Sequence, residues 1–117
     1  MLNTKHEIHD RIYQFVLRVL RATRQLPKTS ENSVLVRQVV RSAGSIGANA
    51  SEADGAESKK EFIQQFTIAK KEAKETLYWL SLLFEYNSIG KNKSASLLDE
   101  AHQIVSILSK IILNAKK

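Results

Sequence analysis

An all-α fold, an antiparallel up-down-up-down four-helix bundle, is what this 117-residue sequence predicts. Three observations carry the prediction. Apolar residues recur every three or four positions through four long stretches, the period of one helix face, and no stretch shows the alternation of a half-buried strand. Punctuation is sparse: Pro27, Gly55 and Gly90 divide the chain into four segments, each long enough for five helical turns or more. The connections between them, roughly 5–8 residues, return the chain antiparallel to its previous course.

The first helix is expected over about residues 4–26. Ile8, Ile12, Phe15, Val19 and Leu26 form its apolar row, widened by Val16 and Leu20. Its other side carries Arg11, Arg18 and Arg21 and leads to Lys28. The second is expected over 33–53, with Leu35, Val39, Ala43, Ile46 and Ala50 in one row and Val36, Val40, Ala43 and Gly47 in the next. Ser58 and Glu61 form a capping box that starts the third, over 59–87. Phe62, Phe66, Ala69, Ala73, Leu77, Leu80 and Phe84 follow at helical spacing. The fourth is expected over 94–115, on Leu97, Ala101, Ile104, Leu108 and Ile111. The whole chain, residues 1–117, is one domain. The apolar stripes of the last three helices are wider than a monomeric bundle needs, and Tyr78 and Trp79 lie outside the main row. That surplus predicts a homo-oligomer.

Composition narrows the chemistry. No cysteine is present, which excludes disulfides, thiolate metal sites and cysteine nucleophiles. The first residues hold no apolar core of a secretory signal, and no apolar run approaches the roughly 18 residues that cross a bilayer. The expectation is a soluble cytoplasmic protein that contacts no membrane. The net charge of +6 is concentrated at the two ends of the chain, residues 1–28 carrying net +4 and residues 89–117 net +3. Such an excess favours anionic partners. The row Arg11, Arg18, Arg21 and Lys28 is the candidate set of phosphate contacts; a merely solvated helix face is the other reading.

Candidate catalytic groups are few. His6 and His9, with Asp10, lie at the start of the first helix and lack further ligands for a metal. His102 stands alone on the fourth. Di-iron bundles use Glu-x-x-His, a pattern absent here. Glu72 and Glu75 share a helix face, as acid–base carboxylates do. In a bundle such a pair is met by arginine, and Arg37 and Arg41 on the neighbouring helix are available, so Arg41, Glu72 and Glu75 are read as structural ion pairs. The expectation is a protein without catalytic activity, metal or other cofactor.

The segment RSAGSIGANASEA, residues 41–53, needs its own account. Gly44-Ser45-Ile46-Gly47 superficially matches the GXXG loop that clamps nucleic-acid backbone, but that loop requires surrounding strands. No Lys-Ser/Thr follows, so it is not a phosphate-binding Walker loop. Apolar periodicity runs straight through it. Two glycines inside a helix, each costing about 1 kcal/mol relative to alanine, are better explained by close approach of another helix. Ala43, Gly44, Gly47 and Ala50 are therefore read as a close-packing face.

The same segment carries a family resemblance. Arg41, Ser42, Ser45, Ile46, Asn49 and Glu52 match the pattern R-S-x-x-S-I-x-x-N-I-A-E, and Glu61-Phe62-Ile63 follows at the expected distance. Lys71, Glu72, Ala73, Glu75, Thr76, Tyr78 and Trp79 match K-E-A-x-E-T-x-Y-W. Together these resemble the four-helix-bundle proteins encoded in intervening sequences of bacterial 23S rRNA genes, over nearly the whole chain. Ala50-Ser51 stands in place of the family's usual Ile-Ala, and Ala53 and Asp54 near its usual glycine. The resemblance implies an antiparallel bundle assembled as a ring-like homopentamer. A structurally similar relative is the accessory protein of diversity-generating retroelements, a basic pentamer that binds a reverse transcriptase and nucleic acid. By that likeness the chain is expected to bind nucleic acid through phosphates, or to act as an adaptor for a reverse transcriptase.

Overall fold

The computed structural model describes the backbone of residues 4–117 and the side chains of residues 7–117. His6, one of the two early histidines weighed as a metal ligand, lies outside the described side chains. Four helices follow in order: α1 (Thr4–Arg24), α2 (Ser30–Asp54), α3 (Lys59–Tyr86) and α4 (Lys91–Ala115).

Caps explain where the helices begin and end. Thr29 has extended backbone and its hydroxyl accepts from the Asn32 amide, so α2 starts three residues earlier than the apolar pattern suggests. Ser58 accepts from the Glu61 amide, while the Glu61 carboxylate accepts from the Glu57 amide, one residue before the cap. The stop of α3 is not Gly90. Ser88 takes the left-handed conformation there, with φ 55°. The Ile89 amide then reaches back to the Phe84 carbonyl at 2.9 Å and the Ser88 amide to the Glu85 carbonyl at 3.0 Å. Gly90 instead caps the start of α4, which begins at Lys91.

Each helix flanks two others, in the order α1, α2, α3, α4 around the bundle, and the backbones of the diagonal pairs stay apart. Side-chain contacts give the directions. Gly47 lies near Ile12 and Asp54 near His9, so α1 and α2 are antiparallel. Asn32 meets Asn87 and Ser42 meets Thr76, so α2 and α3 are antiparallel. Arg11 meets Glu100 and Arg18 meets Ser96, which makes α1 and α4 antiparallel too.

The core holds Ile8, Ile12, Phe15 and Val19 from α1, Val39 and Ile46 from α2, Phe66, Leu80 and Leu83 from α3, and Ile104 and Leu108 from α4. The most extensive pairing is α2 with α3. Their buried positions include the small residues Ala43, Ala50, Ala69 and Ala73, which let two helix backbones approach.

Asn32 and Asn87 lock the register of that pair. Each amide donates to the other's carbonyl oxygen at 2.8 Å, and Asn32 also donates to the Pro27 carbonyl at 3.0 Å. Asn32 is buried. Asn32→Ala removes both bonds between the helices and leaves Asn87 Oδ1 without its donor, and it is expected to cost about 1–3 kcal/mol in urea unfolding, more than the loss of a solvated asparagine would.

Candidate nucleic-acid interface

Arg41, at the start of the unusual segment, points outward toward α3. Its guanidinium donates to Glu72 at 3.3 Å and to Glu75, and the indole Nε1 of Trp79 donates to the same Glu75 at 3.1 Å. One residue on, the buried hydroxyls of Ser42 and Thr76 are hydrogen-bonded at 2.9 Å. The two sequence motifs thus meet face to face across α2 and α3. Both carboxylates serve the clamp. Among the described residues no group of three or more His, Asp or Glu side chains is placed to hold a metal.

The small residues divide into two kinds. Ala43 and Ala50 are fully buried. Gly44 is exposed, and a Cβ added there would meet nothing within 4 Å. A Cβ at Gly47 would sit 3.5 Å from Ile12 Cγ2, an ordinary van der Waals contact. Close packing inside the chain therefore does not account for Gly44, because its α-carbon faces away from the bundle. Gly44, Gly47, Ala48 and Ser51 instead floor an open groove between α2 and α1, walled by Tyr13, Val16, Leu17 and Leu20.

The arginine row of α1 is also split. Arg11 is turned onto α4, where Nε and Nη2 bind the two Glu100 oxygens at 3.0 and 2.7 Å and Nη2 also reaches Gln103 at 2.8 Å. The hydrogen bonds to Glu100 raise its proton affinity above the ordinary arginine value. A guanidinium held in a bidentate pair is a brace between helices, so Arg11 leaves the set of free cations. Arg18 spends one nitrogen on the Ser96 hydroxyl at 2.9 Å and makes no ion pair among the described residues. Arg21 and Lys28 are exposed with no charged partner among the described residues.

Folding brings more positive charge to the same place. The α1–α2 and α3–α4 turns lie at one end of the bundle, and the Arg18–Ser96 contact sets the start of α4 beside the end of α1. Arg24, Lys91 and Lys93 thereby join Arg18, Arg21 and Lys28, all exposed. Glu31 and Glu85 are the acidic residues nearest that end. The sequence row missed the two lysines because they are some seventy residues away in the chain; only antiparallel packing of α4 on α1 unites them. Beneath the cluster, Leu26, Pro27, Val36 and Val40 line a shallow hollow with Lys28 and Arg37 at its rim.

The fold and these contacts define a class first: an all-α four-helix bundle whose motif residues tie α2 to α3, with an unpaired basic end and exposed apolar flanks. The family model of the 23S rRNA-intervening sequence protein matches residues 4–110, and the chain belongs to that family. A solved structure from Bacteroides thetaiotaomicron, a protein with unknown function from the S23 ribosomal protein family, is similar in sequence and fold. It is 34% identical, with a TM-score of 0.85 over 94% of this chain and 98% of that one. No curated protein matches the chain. No helix among the described residues is long and apolar enough to cross a membrane.

Proposed function

We propose that this protein is a non-enzymatic, homo-oligomeric scaffold, of the pentameric kind its family resemblance implies, that binds nucleic acid through phosphates. The observation that carries the reading is the cluster of Arg18, Arg21, Arg24, Lys28, Lys91 and Lys93 at one end of the bundle, none of them in an ion pair among the described residues. Unpaired surface cations gathered on one end are an electrostatic footprint for a polyanion. No base-reading module accompanies them, so the contacts position the protein without selecting sequence. Repetition of the cluster around a symmetric assembly multiplies its field.

Salt dependence is the test. Affinity for a structured RNA or a DNA duplex is expected to fall roughly a thousandfold or more between about 50 and 200 mM salt if six or more phosphates are neutralised. Binding that hardly changes over that range, or no binding at the lower salt, overturns the reading.

A further inference from the structure

We propose that the groove between α1 and α2 receives the exposed aromatic ridge of α3 from a second copy of this chain, in a head-to-tail contact that closes a ring. This deepens the homo-oligomeric reading above and rests on it.

The two surfaces are complementary in shape. The groove has a floor of small residues, Gly44, Gly47 and Ala48, and apolar walls that include Leu17 and Leu20. Neither glycine is demanded by the chain's own packing, since a side chain at Gly44 meets open space and one at Gly47 makes only normal contact. Glycine in mid-helix nonetheless lowers helix stability. What needs the space is therefore outside the chain. The same molecule offers large side chains with nothing over them. Tyr78, Leu82 and Tyr86 recur at every fourth position along α3 and are 61%, 39% and 56% exposed, with the ring of Trp79 stacked edge-on against Tyr78. A floor without side chains and a ridge of surplus ones fit each other.

Register and charge agree with the same pairing. The Ser42–Thr76 bond puts Tyr78 level with Val40. Side chains lean toward the start of their helix, which carries the Tyr78 ring down to the level of Gly44. In a ring whose copies share one level, α3 of the neighbour runs parallel to α1. Lys71 and Lys74 then approach the acidic end of the groove, at Asp10 and Asp54, and Glu85 approaches Arg37. All six are exposed.

The two surfaces are unlike, so the contact is heterologous, and such contacts close into a ring when the rotation between successive copies closes.

Mixing of single-face variants tests this. Gly44→Arg fills the groove and leaves the ridge intact. Tyr78→Arg with Leu82→Arg spoils the ridge and leaves the groove intact. All three positions are exposed, and circular dichroism checks that each variant stays helical. By light scattering the unaltered chain is expected to be a closed oligomer and each variant alone a 13.2 kDa monomer. The two variants mixed have one good groove and one good ridge between them, and are expected to form a heterodimer that grows no further. Loss of assembly in the groove variant alone, with the ridge variant still oligomeric, means that like surfaces meet and overturns the head-to-tail contact. An oligomer indifferent to both variants overturns the assignment of these surfaces while sparing the oligomer itself. An unaltered chain that is monomeric at all concentrations removes the oligomeric reading and this contact with it.

Discussion

Reversing Arg18, Arg21 and Lys28 to glutamate abolishes nucleic-acid binding at about 150 mM salt, where screening still leaves close ion contacts intact. The three positions are exposed and take no part in the core. Helix content and assembly are therefore expected to be unchanged. Each lost phosphate contact lowers the slope of log affinity against log salt by about 1, so the milder triple alanine variant binds with a slope smaller by about three. Reversal goes further because three repulsive charges replace three attractive ones beside the remaining Arg24, Lys91 and Lys93. Arg11→Ala is the contrast. Its guanidinium already lies against Glu100 and Gln103, so the change strands a half-buried carboxylate and costs stability, with little effect on affinity. A filter-binding or anisotropy titration of the variants across salt separates the two behaviours. Equal binding by the reversed variant and the unaltered protein rules out this end as the interface.

Phe66→Ala gives the largest expected loss of stability, about 3–5 kcal/mol. Phe66 is fully buried, about two turns into α3. Its ring meets Phe62 edge-on at 4.8 Å and lies 6.4 Å from the imidazole of His9 on α1. Truncation removes the transfer free energy of the ring and opens a cavity that four rigid helices cannot collapse to fill. Small domains hold about 5–15 kcal/mol in all, so the variant loses about a fifth or more of its stability, seen as a fall in melting temperature of roughly 10–20 °C. Leu113, 62% exposed near the end of α4, supplies the comparison: Leu113→Ala is expected to change stability by no more than about 0.5 kcal/mol. A Phe66→Ala variant that melts with the unaltered protein contradicts the core described above.

The sequence by itself determined the helices, because helix formation answers to local apolar periodicity, to caps such as Ser58 and to the scarcity of breakers. It also identified the family, because the motif residues lie within two short segments. It placed the second and fourth helix starts late, since Thr29 and Gly90 act as caps outside the apolar pattern. What only the tertiary structure decided is which side chains meet. Arg11 and Arg18 look alike in a helical row, yet Glu100, eighty-nine residues away, engages one and leaves the other without an ion pair. Gly44 and Ala43 are neighbours in one stretch of small residues, yet one faces solvent and the other the core. A helix row records only the angle around its own axis. Whether that angle points at a partner, at the core or at water depends on where three other helices lie, and that is settled by packing over the whole chain.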